Sequence, residues 1–227
     1  MDQIQKERIS IQVTLSGYSF KIESGNDVKT SGWLGAERVF TCPELQKRYD
    51  EVRISLLTPK FTLVPSQFFT PSSARSMLSD VMNIRESDAV EYVEVPQFGA
   101  SLIFSNSIDE SLSKVIEQTV RTTSGETARI LPEMYYILEE LPKCPEYNKI
   151  LATWKDSHLH LAIAQGKSLL LANSFHAPDF TTAEYFIFNA MKSLQLNPEV
   201  STICWRMPLK AEDEMSLYRY FKAVEQI

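Results

Sequence analysis

The sequence predicts a mixed α/β protein built as two lobes of like plan. Three observations carry that expectation. Residues 9–34 and 150–175 each hold three short segments of alternating apolar and polar residues separated by turn residues, the pattern of half-buried strands in a meander. Each run is followed by segments whose apolar residues recur every three or four positions, as on an amphipathic helix. The order strand-strand-strand-helix-strand-helix then occurs twice, beginning near Arg8 and near Lys149, which suggests an internal duplication resting on element order alone, since few residues match between the copies.

The first meander starts where Ile9, Ile11, Val13 and Leu15 alternate with Ser10, Gln12, Thr14 and Ser16. Gly17 permits a tight turn, Tyr18, Phe20 and Ile22 resume the alternation, and Ser24-Gly25-Asn26-Asp27 turns the chain into Val28–Leu34. Thr41-Cys42-Pro43-Glu44 reads as a capping box for a short helix ending near Tyr49, because threonine and a glutamate three residues on can satisfy orphan backbone donors reciprocally. Val52–Phe69 alternates around Pro59 and Pro65, and Thr70-Pro71 opens a helix with Ala74, Met77, Leu78, Val81 and Met82 on one face. A strand pair spans Ala89–Phe104; a second capping box, Ser107 to Glu110, leads a helix with Leu112, Val115 and Ile116 inward.

Polar Arg121–Glu126 with Gly125 interrupts the pattern as a connector would. Met134–Leu141 then traces a helix that Pro142 ends. The second meander comprises Ile150–Trp154, His158–Ala164 and Leu169–Phe175, with turns at Lys155-Asp156-Ser157 and Gln165-Gly166-Lys167. A helix from Thr181, with Glu184 as its capping partner, runs to Asn197-Pro198; Val200–Met207 is a strand. Glu212, Asp213 and Glu214 favour a last helix N-terminus, with Leu217, Tyr218, Phe221 and Val224 as its apolar stripe.

Composition narrows the function classes. The chain has 227 residues, 23 basic against 29 acidic, and a formal net charge of −6, which argues against a surface that tracks nucleic-acid phosphates. No apolar run reaches the roughly 18–20 residues of a membrane span, and the N-terminus lacks an apolar leader core, so a cytoplasmic protein without membrane insertion is expected. Cys42, Cys144 and Cys204 are odd in number and scattered, which suits reduced thiols.

A three-strand meander followed by helix-strand-helix is the ground plan of a ribonuclease-H-like lobe, and two such lobes make the actin-like ATPase architecture. The expected division is a tail at 1–8, a first ribonuclease-H-like lobe at 9–120, a connector with a helix at 121–148 and a second lobe at 149–227. The stretch Lys60-Phe61-Thr62-Leu63-Val64-Pro65-Ser66-Gln67-Phe68-Phe69, with Gly166–Phe175 and Leu196-Asn197-Pro198-Glu199, resembles a bacterial family of unknown function whose fold is actin-like. More distantly the chain is similar to pilus-assembly and cell-division actin relatives. The resemblance implies the fold. Its motifs are core and turn residues, so it implies no activity, and it leaves open whether a last strand and helix of the second lobe lie beyond Ile227.

Actin-like ATPases hold phosphates in the turn between the first two strands of each lobe, where Asp-x-Gly-x-Ser/Thr supplies backbone donors and a carboxylate for hydrated magnesium. Here Gly17 lacks the aspartate, replaced by Leu15, and Asp156 lacks the glycine, replaced by His158. Gly166-Lys167-Ser168 is the tail of a P-loop whose first glycine falls on Leu161 and which leads into a strand instead of a helix. His158 and His160 share a strand face, with His176 a conceivable third ligand, yet structural or surface histidines explain the spacing as well. Glu139-Glu140 and Glu212–Glu214 read as solvated helix-end carboxylates. Tyr185, Phe186, Phe188, Tyr218, Tyr220 and Phe221 exceed what one core stripe needs and suit burial inside the molecule or against a partner.

The resulting expectation is an interaction or scaffold module, with a protein partner or self-association, no catalytic residues, no metal and no cofactor. The alternative is a nucleotide-dependent switch binding ATP with magnesium through Ser16, Gly17, Ser19, Lys155, Asp156 and Ser157.

Overall fold

The computed structural model describes residues 6–14, 16–106 and 110–227, with backbone alone at 110, 111 and 113. Leu15 and the capping box at Ser107–Asp109, like most of the expected N-terminal tail, lie outside the described residues. The opening meander is β1 (Glu7–Val13), β2 (Gly17–Ser24) and β3 (Asp27–Thr30), with the two-residue β4 (Leu34–Gly35) pairing back onto β2. Two 3-10 turns, Ala36–Phe40 and Pro43–Gln46, precede β5 (Arg48–Tyr49) and β6 (Glu51–Leu56). The α-helix expected at 41–49 is therefore corrected. Cys42 holds the cap position without a side-chain cap bond, and so short a segment cannot offset the cost of nucleating an α-helix.

The middle of the chain supplies β7 (Phe61–Pro65), α1 (Ala74–Val81), β8 (Val90–Val95) and β9 (Ala100–Ser105), the three strands pairing in the order β7-β9-β8. Then come α2 (Glu110–Thr119), β10 (Arg121–Thr122), β11 (Ile130–Pro132) and α3 (Glu133–Glu140). The polar stretch expected as a connector thus holds a short strand, β10, parallel to β5. The chain ends with β12 (Asn148–Lys155), β13 (His158–Gln165), β14 (Ser168–His176), α4 (Phe180–Ser193), β15 (Thr202–Trp205), α5 (Ala211–Leu217) and β16 (Ala223–Gln226).

Two details differ from the sequence reading. Asp179, not Thr181, caps α4, its Oδ1 accepting from the Thr182 N–H at 2.7 Å. The final helix stops at Leu217, and residues 223–226 form a strand parallel to β15. Leu217, Phe221 and Val224 do face one core, but a helix, a turn and a strand deliver them there.

The two larger sheets have the same order and directions. In one, β11-β6-β1-β2-β3, the pairs around β2 are antiparallel, while β1–β6 and β6–β11 are parallel. In the other, β14-β13-β12-β15-β16, the pairs around β13 are antiparallel, while β12–β15 and β15–β16 are parallel. Numbered along each sheet's own strands, both read 3-2-1-4-5.

Two compact units result. One takes the chain up to Thr58 with Ile84–Glu91 and Phe104–Glu133; the other takes Pro59–Asn83, Tyr92–Ile103 and Met134–Ile227. Residues 59–83 and 92–103, which fall inside the expected first lobe, group with the second sheet. In the first unit Ile9, Ile11 and Val13 of β1 pack with Ile54 and Leu56 of β6 and with Leu112 and Ile116 of α2. In the second, alternate residues of β12 and β13 pack with Ala183, Ile187 and Met191 of α4. Each large aliphatic side chain so buried contributes about 1.5–3 kcal/mol.

Candidate functional site

The turn between β1 and β2 carries Ser16, Gly17 and Ser19. Its hydrogen bonds are engaged locally: the Thr14 N–H donates to the Gly17 carbonyl at 2.9 Å, and the Ser16 N–H donates to Thr14 Oγ1 at 3.1 Å. The Ser19 hydroxyl donates to Gln12 Oε1 across the β1–β2 ladder. Gly17 is buried and faces Gly35 of β4, and a Cβ placed on it would lie 2.0 Å from the Leu34 carbonyl oxygen. The glycine is thus required by the close passage of β4, whatever else the turn does.

The turn between β12 and β13 carries Lys155, Asp156 and Ser157. Asp156 and Ser157 have φ of +47° and +61°, the pair of left-handed residues that a two-residue type I′ hairpin demands. Asp156 is exposed, while Lys155 and Ser157 are half-buried. His158 Nδ1 sits 2.8 Å from the Asp156 carbonyl oxygen, and the Ala177 N–H donates to the Ser157 carbonyl at 2.7 Å. These bonds engage the Thr14 and Ser16 N–H groups in the first turn and the Asp156 and Ser157 carbonyls in the second.

The structure adds a cluster that carried no motif. Buried polar side chains of the first unit gather at the carboxyl ends of its three parallel strands: Thr14 after β1, Ser55 and Thr58 at the end of β6, and Glu133 just after β11. Ser55 donates to the Glu133 carboxylate. Glu133 is fully buried and opens α3, where the positive end of the helix dipole favours a carboxylate. Ser55 also stands opposite Gln12, which stands opposite Ser19, so a polar row crosses β2, β1 and β6 toward Glu133. Carboxyl ends of parallel strands are where open α/β sheets bind ligands. One isolated glutamate in LPEM gave no sequence signal; only strand order reveals its setting.

Elsewhere the candidate groups scatter. His160 is fully buried and stacks on Phe61 at 6.2 Å, whereas His158 pairs across strands with His176. Among the described residues no three of His, Cys, Asp and Glu converge as a metal-binding group. Gly166 turns β13 into β14 with φ +55°. Cys144 and Cys204 are buried against one another; a hydrogen bond from the Cys204 thiol holds the Cys144 thiol below its usual range, and the same bond together with burial pushes Cys204 up. Of the aromatic cluster, Phe221 is buried, whereas Tyr185, Tyr218 and Tyr220 are largely exposed. Among the described residues no helix is long and apolar enough to cross a membrane.

Comparison with known proteins agrees with this frame. The chain belongs to the family described as protein of unknown function (DUF3822), whose sequence profile matches residues 4–224. No curated protein matches it. A Bacteroides thetaiotaomicron protein with actin-like ATPase fold and unknown function is similar over 99% of this chain and 91% of its own, at 18% identity and a TM-score of 0.69. The PilM–PilN type IV pilus biogenesis complex holds a chain similar over 98% of this one and 88% of its own, at 12% identity and a TM-score of 0.57. The fold is therefore the actin-like ATPase fold, and the 3-2-1-4-5 sheets are its two ribonuclease-H-like centres.

Proposed function

We propose that this DUF3822 member is a non-catalytic interaction or scaffold module on an actin-like ATPase frame, acting through a protein partner or by self-association. The observation that carries the reading is the construction of the two turns: Gly17 leaves room for the Leu34 carbonyl of β4, and Asp156-Ser157 close a type I′ hairpin. A similar fold occurs in the PilM–PilN complex, an assembly of two proteins, which supports a role in protein contacts. Three buried free thiols suit work in a reducing cytoplasm, and the acidic balance suits protein partners better than nucleic acid.

The alternative, an ATP-dependent switch, is favoured by the buried cluster of Thr14, Ser55, Thr58 and Glu133. With ATP and magnesium bound, Asp156 would be the carboxylate for a metal-bound water and Lys155 the nearest cation for a phosphate. Isothermal titration of ATP with magnesium decides between them. The scaffold reading expects no heat of binding at micromolar ligand and no rise in melting temperature at millimolar ligand. A dissociation constant below about 10 μM, worth roughly 7 kcal/mol, lost in Asp156→Ala or Glu133→Gln, would establish the switch.

A further inference from the structure

His158 and His176 are far apart in the chain but directly opposite in the β13–β14 ladder. Their ring centroids lie 5.5 Å apart with planes at 65°. His158 is half-buried and His176 exposed, so water reaches both. In a neutral imidazole one nitrogen carries the proton and the other the lone pair. His158 Nδ1 faces the Asp156 carbonyl at 2.8 Å, and a carbonyl only accepts, so Nδ1 holds the proton and Nε2 the lone pair. That is the arrangement found in metal-ligating histidines, whose second nitrogen donates to a carbonyl or carboxylate. The segment after His176 is tied back to the same turn: the Ala177 N–H donates to the Ser157 carbonyl at 2.7 Å, and Trp154 Nε1 donates to the Ala177 carbonyl at 2.9 Å.

We propose that His158 and His176 form a two-histidine site for a divalent transition metal such as Zn²⁺, where the start of β13 meets the end of β14. Two imidazoles that both turn a nitrogen to one tetrahedral ion, with zinc–nitrogen bonds of about 2.0–2.1 Å, have centroids about 5.2 Å apart, and the 5.5 Å of this edge-on pair leaves room for the two rings to rotate into that arrangement. Carboxylate-preferring Mg²⁺ and Ca²⁺ do not suit two imidazoles. Water completes the coordination. His160, though on the same strand face, is excluded, because it is buried against Phe61. The bound ion clasps β13 to β14 beside the β12–β13 turn, which the actin-like plan would give to phosphate.

The test is titration of ZnCl₂ into the full reduced chain, free of any affinity tag, near pH 7.5. One ion per chain is expected, with a dissociation constant on the order of 10 μM, weaker than three- or four-ligand sites because two ligands are water. His158→Ala and His176→Ala should each weaken binding at least tenfold while leaving the metal-free melting temperature unchanged. His176→Gln, with nearly the same bulk, should do likewise if the alanine variant folds poorly. Co²⁺ in the same site should absorb without a thiolate charge-transfer band. No binding at 1 mM Zn²⁺, unchanged affinity in the histidine variants, or a thiolate band placing the ion on the cysteines would each overturn the proposal.

Discussion

At the scale of single residues, hairpin turns and buried hydroxyls set the sharpest constraints. Gly17 accommodates the β4 backbone, and the obstacle to any side chain there is a carbonyl, which cannot swing aside as a flexible side chain would. Gly17→Ala should cost about 2–3 kcal/mol in urea denaturation, through displaced β4 pairing; a cost below about 0.5 kcal/mol would mean that β4 is not held there. Tyr49 gives a pH-dependent companion. Its ring is buried, its hydroxyl donates to the Glu44 carbonyl at 2.8 Å, and burial pushes its pKa up to about 12. The unfolded chain ionises this tyrosine near 10, so between about pH 10 and 12 the unfolded state holds fewer protons than the native one and stability falls as pH rises. The slope from this group is about 1.4 kcal/mol per pH unit. Burial likewise raises Tyr18. Tyr49→Phe should lose about 1 kcal/mol at pH 8 with its hydrogen bond, yet decline less steeply from pH 10 to 12, a difference that urea midpoints at both ends would measure.

At the scale of elements, a half-buried ion pair joins the end of α3 to the residue after β15. Arg206 Nη1 meets Glu140 Oε2 at 2.5 Å, their side chains 9% and 20% exposed, and the guanidinium lies 5.5 Å from the centre of the Tyr136 ring. Removing one charge strands the other in a poorly hydrated place, so Arg206→Met should cost about 3 kcal/mol, whereas adding Glu140→Leu should recover much of that loss. A double-mutant cycle reads the coupling directly, and additive losses would show that the pair is solvated. From the sequence Glu140 reads as a solvated helix-end carboxylate, because no local pattern announces a partner 66 positions away. The same limit explains the other misreadings. β1 and β2 are legible because period two records a buried face directly, whereas β12 and β13, buried on both faces at their centres, are marked by apolar runs between turn residues. β16 is not legible, since Phe221 and Val224 are three apart and satisfy a helical stripe as well as a turn entering a strand. Asp179 lost the cap to Thr181 because both are good caps and only the N–H of Thr182 chooses between them. Glu133 had no motif at all; its setting at the strand ends is made by the parallel pairing of β11 with β6.

At the scale of the whole molecule, sequence order and compactness part ways. A cut at 148/149, where the second meander begins, looks like a lobe boundary in the sequence, and the fragment 149–227 carries all five strands of the second sheet. Yet the compact unit around that sheet also recruits Pro59–Asn83, Tyr92–Ile103 and the stretch from Met134. Phe61 stacks on His160, a fully buried histidine, Tyr136 faces Arg206, and Cys144 packs on Cys204. A fragment 149–227 would expose these groups on one face of the sheet, uncovering an imidazole, a guanidinium and the apolar residues around them. At 79 residues it would also bury a smaller share of its surface than the intact chain. The fragment should therefore show strand-rich circular dichroism without a cooperative thermal transition and should bind an apolar dye, while a chain retaining 59–227 should melt cooperatively. A sharp two-state transition in 149–227 alone, with no dye binding, would show that the α4–α5 side of the sheet suffices to hold it and that the recruited segments are accessories to its stability.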